Sequence, residues 1–134
     1  MPKKEKKKKF FELWFRVVYK QLIKNKKLTA ALRPGNRISP HPKGTKVGEK
    51  VTLRIVLKPG DDETRQSAIL DNKFKKNAQI TALTVKPLGQ LTKKDFLGMS
   101  PDCQSLEDAK YHLGLIYNKI FSNKDLVTII RWKY

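Results

Sequence analysis

Apolar positions change their spacing several times along the chain, and each change marks an element. Phe11, Trp14, Phe15, Val18 and Leu22 recur at helical intervals, with Arg16, Lys20 and Lys24 toward the other side, which predicts an amphipathic helix over Phe10–Asn25 packed on the domain core. Leu28–Leu32 reads as a short strand ended by Pro34-Gly35, and Ser39–Gly44 is an extended loop with two prolines. In Lys50–Leu57 the apolar Val51, Leu53, Ile55 and Leu57 alternate with Thr52 and Arg54, the period of a strand. Pro59-Gly60-Asp61-Asp62 is a turn. Thr64–Asn77 carries a weaker pattern, read as a short strand around Ser67–Leu70 and a basic turn around Lys73–Lys76. Gln79–Val85 is a strand closed by Pro87.

Two capping signals follow. Thr92 opens a helical turn that Gly98 ends, and Ser105 caps a long helix over Leu106–Phe121, with Glu107 and Asp108 favourably placed in its first turn. Its buried stripe is Leu106, Ala109, Leu113, Ile116, Tyr117 and Ile120. Asn123-Lys124-Asp125 turns the chain into a last strand, Leu126–Trp132. Strands that do not alternate regularly with helices argue against a doubly wound sheet. The expectation is an α+β domain, a small and mostly antiparallel barrel with flanking helices over residues 10–134.

Charge alters this picture more than composition does. The 134 residues carry a net charge of +18, and residues 1–50 hold 16 Lys/Arg against 3 acids. Residues 1–9, lysine-rich and self-repelling, are expected to be a disordered tail. So basic a protein attracts polyanions, and nucleic acid is the partner expected. The chemistry concentrates near the first strand's end. There Arg33 and Arg37 flank a Pro-Gly turn, and a pair of guanidinium forks on a rigid turn suits a phosphate. Lys43, Lys46 and Lys50 follow on the neighbouring loop and strand, while Lys26 and Lys27 precede it, completing the candidate binding set. Tyr117, Trp132 and Tyr134 are candidates for stacking on an unpaired base, with core packing preferred for the first two.

The same residues exclude other classes. Cys103 is the single cysteine, so no internal disulfide forms, which fits a reducing interior. With only His41 and His112 beside it, it does not supply a tetrahedral zinc site without carboxylates. No metal or cofactor is expected. No apolar run approaches the roughly 20 residues of a membrane span. Glu12 and Arg16 interrupt the apolar stretch that would otherwise resemble a signal peptide. A cytoplasmic monomer is the expectation, with assembly into a ribonucleoprotein complex left open.

The order of these pieces resembles the ASCH family of the PUA-like superfold over about residues 11–134. Four segments carry the resemblance: the aromatic helix leading into Leu28–Arg33; the Gly48-Glu49-Lys50-Val51 turn; Ile80–Val85 running into Leu91–Gly98; and Ser105-Leu106-Glu107 opening the helix that precedes the Val127–Trp132 strand. The resemblance implies a small β-barrel whose cleft handles RNA or nucleotide-like ligands. Small bacterial members of similar layout hydrolyse N4-acetylcytidine and carry Gly-x-Lys-x-x-(Glu or Thr)-x-Arg before the strand's end. Aligned on Arg33, this chain has Lys26 at the glycine, Leu28 at the lysine and Ala31 at the acid or threonine. The glutamate those enzymes carry before the second long helix is also absent from Gly98–Cys103. A noncatalytic RNA-binding module is therefore the leading expectation. The alternative is a nucleobase- or nucleoside-acting hydrolase using Lys27, one residue along, with Asp102 standing in for the acid. Convergence of Lys27, Arg33 and Asp102 on one pocket would favour the enzyme; Leu28 and Ala31 in its wall would favour binding.

Overall fold

Five strands form a single sheet in a computed structural model that describes residues 11–38, 44–58, 60 and 67–134. They are β1 (Phe11–Arg16), β2 (Ala30–Pro34), β3 (Lys50–Lys58), β4 (Ile69–Pro87) and β5 (Leu126–Lys133), hydrogen-bonded in the order β1-β3-β4-β5-β2. Only β1 and β3 run parallel. Two α-helices accompany the sheet, a short α1 (Lys20–Lys24) and a longer α2 (Leu106–Tyr117), with 3-10 turns at Val17–Tyr19, Leu88–Gln90 and Lys93–Phe96. The architecture is the expected α+β one.

Two stretches differ in kind from the expectation. The helix expected over Phe10–Asn25 begins instead as β1, and only Lys20–Lys24 is α-helical. Phe11, Leu13 and Phe15 also alternate, and it is this period that lays them on the core once Phe11–Arg16 pairs with Val51–Val56. Likewise Lys73–Lys76 is no turn. It lies inside the 19-residue β4, whose first half pairs with β3 and whose second half pairs with β5. Lys and Asn are poor strand formers, and pairing with β3 overrides that preference.

The long β4 explains the overall shape. Trp14 of β1 stands in the row of Lys75, and Arg33 of β2 stands in the row of Val85. Ten residues of straight strand would separate those rows by about 33 Å. Yet the Arg33 guanidinium donates to the Trp14 carbonyl at 3.0 Å. The sheet is therefore strongly coiled, and its two edges approach through side chains without joining by backbone hydrogen bonds.

Two cores lie on either side of β5 and β2. Inside the coil, Leu13, Phe15, Val51, Leu53, Ile55, Ile80, Ile130 and Trp132 pack together, closed at one end by Ile23 of α1. Outside it, α2 places Ala109 and Leu113 against Leu32, Val127, Ile129, Phe96 and Met99. Burial on both faces accounts for the nearly unbroken apolar run of β5. Ser105 caps α2 by accepting from the Asp108 N–H at 3.1 Å. The helix ends at Tyr117 rather than Phe121, because Asn118 takes the left-handed conformation (φ 49°).

Candidate functional site

Thr128 is the residue that sets the arginine turn. It is fully buried on β5, where its hydroxyl donates to the Gly35 carbonyl at 2.7 Å and accepts from the Arg37 N–H at 2.9 Å. Gly35 itself has φ 77°, a conformation glycine adopts freely, and its N–H bonds to the Leu126 carbonyl at 2.7 Å. The turn is thus tied to β5 at three points. Arg37 folds back so that Nε donates to the Pro34 carbonyl at 2.9 Å, leaving its two terminal nitrogens without a partner among the described residues. Arg33 turns inward. Its guanidinium lies over the Phe15 ring, 4.9 Å from the centroid, and burial pushes its pKa below the usual arginine value.

Both arginines line a groove of about 480 Å³ between the free edges of β1 and β2, together with Phe11, Glu12, Leu13, Trp14 and Tyr117. Trp14 is 46% exposed and Tyr117 40% exposed, large values for aromatic side chains. Two forked cations and two uncovered rings therefore share one opening. The volume falls in the range of about 300–1,000 Å³ typical of ligand pockets.

A second opening lies behind Arg33. Here Phe15, Leu28, Ala31, Met99, Leu113 and Ile116 supply apolar walls, and Tyr19, Ser100, Asp102 and His112 a polar rim, around about 70 Å³. Asp102 is the hub. It accepts from Tyr19 at 2.6 Å and from Ser100 at 2.5 Å, while His112 Nε2 lies 3.8 Å and Arg16 3.9 Å away. Burial raises the Asp102 carboxyl, but these donors and cations outweigh it and hold the group below its ordinary value. Burial and the neighbouring carboxylate push Tyr19 up, keeping its hydroxyl a donor. His112 Nδ1 is buried and has no hydrogen-bond partner among the described residues. No hydrogen bond among the described residues joins His112 to Ser100 or Cys103. The Cys103 thiol, pushed up to about 12 by burial and then by Asp102 and Asp108, is held as an unreactive S–H beside Met99.

Two solved structures share this fold. An ASCH domain from Lactobacillus crispatus superposes with a TM-score of 0.54 at 12% identity, covering 87% of this chain and 69% of that one. Protein EF3133 from Enterococcus faecalis, a DUF984 protein, superposes with a TM-score of 0.51 at 12% identity, covering 87% of this chain and 66% of its own. The fold is ASCH-like. No family model and no curated protein matches the chain.

Within this ASCH-like fold the sequence candidates separate. Arg33 and Asp102 do line one cavity, but Lys27 does not, and the walls at that place are Leu28 and Ala31. Lys26 and Lys27 are exposed on the turn that leaves α1, outside both cavity and groove. Lys46 follows Thr45, whose N–H bonds to the Arg37 carbonyl at 2.8 Å, so it sits on the adjoining loop without lining the groove. Lys50 lines a separate recess with Asn77, Gln79, Lys133 and Tyr134. Lys43 lies outside the described residues. Trp132 is core, tilted against Phe15 at 5.9 Å, as preferred; Tyr117 is not. Sequence reasoning missed Trp14 as a site residue because it was placed on the buried side of a helix. The alternation Phe11-x-Leu13-x-Phe15 would have put Trp14 on the outer face. Among the described residues no helix is long and apolar enough to cross a membrane, and no cluster of His, Cys, Asp or Glu could hold a metal.

Proposed function

We propose that this ASCH-like chain binds single-stranded RNA or another single-stranded nucleic acid in the groove between β1 and β2. The observation that carries the reading is the meeting of Arg33, Arg37, Trp14 and Tyr117 in one opening. A single strand offers an anionic backbone for guanidinium forks and bare base faces for aromatic rings, whereas a duplex hides its bases. The free terminal nitrogens of Arg37 suit a phosphate, and Trp14 suits a base. The smaller cavity is too tight for a nucleoside, and although Asp102 lines it, Leu28 and Ala31 stand where an amidohydrolase of this layout would need its lysine and its first acid or threonine.

Titration of a fluorescein-labelled five-residue oligouridine against the protein tests this. Trp14→Ala removes a stacking platform worth about 1–3 kcal/mol, so affinity is expected to fall about 5- to 150-fold. Arg37→Ala is expected to fall comparably, with the melting temperature nearly unchanged. Equal binding by wild type and both variants would defeat the proposal.

A further inference from the structure

The groove opens onto the outer face of the sheet, where Thr52 and Arg54 are buried between their neighbours and the lysines around them are exposed. Val51, Leu53 and Ile55 point to the inner core, so Lys50, Thr52 and Arg54 point outward. Register extends the outward set across the neighbouring strands. Lys50, Gln79 and Lys133 form one row, Glu12, Thr52 and Asn77 the next, and Trp14, Arg54 and Lys75 the third. Lys50, Lys75, Asn77 and Lys133 are exposed. Glu12 is the single carboxylate in these rows, and it is already paired with Arg54 at 3.0 Å. Among the described residues no carboxylate pairs with Lys50, Lys75 or Lys133.

We infer that this outer face is a phosphate-tracking tract continuous with the groove, so that the ligand is an extended single strand rather than a lone nucleotide. The inference rests on the groove reading above. Trp14 and Glu12 belong both to the groove wall and to the face, which makes the two surfaces contiguous. Lys50 and Lys133 stand on either side of Gln79, roughly 10 Å apart, and Lys75 lies about 13 Å further along β4. That spacing presents separated point charges along a path, the arrangement a backbone with regularly spaced phosphates can follow. Between the cations, Asn77 and Gln79 offer neutral donors and acceptors instead of acids that would repel it. Thr52 and Asn77 already bond to each other at 3.3 Å, holding the middle row in place. A globular site for a mononucleotide would need none of this second surface.

The test compares fluorescein-labelled oligouridines of five and fifteen residues on the full chain and on the triple variant Lys50→Gln/Lys75→Gln/Lys133→Gln. Wild type is expected to bind the 15-mer at least 10-fold more tightly than the 5-mer. The triple variant should lose that advantage while keeping its affinity for the 5-mer. Its slope of log affinity against log salt for the 15-mer should shrink by about 2, the value for three phosphates on a single strand. Equal affinity of wild type for both lengths, with the 5-mer still dependent on Trp14 and Arg37, would overturn the tract and leave the groove reading intact. Absence of binding to either length would remove the groove reading and the tract with it. Tight binding to anionic lipid vesicles, abolished in the triple variant and without any response to oligouridine, would assign the face to a membrane and overturn the inference. Should the triple variant fold poorly, a 15-mer carrying 4-thiouridine at its 3′ part provides a second measure on wild type. Cross-links on β4 residues 72–79 support the tract, and cross-links confined to residues 11–14 and 117 refute it.

Discussion

Arg33 joins the two edges of an open sheet and also faces the proposed ligand. It bonds to the Trp14 carbonyl on β1 and stacks on Phe15, so its side chain is part of the fold before any ligand arrives. Loss of a charged hydrogen bond of this kind costs about 1.5–3 kcal/mol. Arg33→Ala is therefore expected to lower the melting temperature as well as the affinity, and Arg33→Lys to restore charge without the fork and recover neither fully. Thermal melts and the 5-mer titration on the same preparations check this; an Arg33→Ala variant that melts like wild type would mean that the edges do not depend on the contact. Arg37, anchored through Nε alone, is the cleaner probe of binding. From sequence, the Pro34-Gly35 turn already marked both arginines as held in place, because its geometry is local. That one would serve as a strut was not legible, since Trp14 and Arg33 are 19 residues apart and meet only through the coiling of β4. Asp102 was legible as an acid of interest but not as a hub, because Tyr19, Ser100 and His112 reach it from three separate segments.

At the level of elements, what the chain wrote locally it also built. The Thr92 cap, the Ser105 cap, the alternation of Lys50–Leu57 and the apolar Leu126–Trp132 run all depend on neighbours within a few residues. The errors fall where partners decide: β1 exists through parallel pairing with β3, and the Lys73–Lys76 stretch is strand through antiparallel pairing with it. One docking contact of the same non-local kind can be tested. Arg131 on β5 sends a fork to the 3-10 turn at Lys93–Phe96, donating to Leu97 O at 2.5 Å and to Lys94 O and Asp95 O at 3.0 Å each. These carbonyls close the turn that leads to Gly98, whose own carbonyl accepts from Thr29 and Ala30 on the β2 side. Arg131→Met keeps much of the stem's packing but strands three acceptors. Destabilisation of about 1–3 kcal/mol is expected by urea unfolding, with faster amide exchange in residues 94–98. Unchanged exchange there would show that the turn holds without β5.

For the whole molecule, the charge that suits a polyanion also sets the response to acid. With a net charge of +18, each carboxylate that takes up a proton increases self-repulsion. Three of these carboxylates hold elements together: Asp71 bonds Lys20 at 2.8 Å, Asp95 bonds Lys86 at 2.7 Å, and Asp102 bonds Tyr19 and Ser100. Lys20 and the Lys73 N–H hold Asp71 below the usual carboxylate range. For Asp95, burial acts upward, but Lys86 and Thr92 overcome it and leave the group depressed. Asp102 is depressed in the same sense. In each case the unfolded chain binds the proton more readily than the folded one. The stability they contribute is thus fully present above the unfolded value of about 4 and is lost as pH falls through the lower folded values. Melting temperature is expected to be flat from pH 7 to about 5 and to drop steeply toward pH 3. Added sodium chloride should recover part of the loss by screening the repulsion, while the share due to the three bonded carboxylates should persist. Asp102→Asn, which cannot titrate, should melt lower than wild type at pH 7 and show a shallower acid drop. Parallel melting curves for Asp102→Asn and wild type across pH 7 to 3 would show that repulsion alone governs acid unfolding and that the Asp102 hub contributes nothing to it.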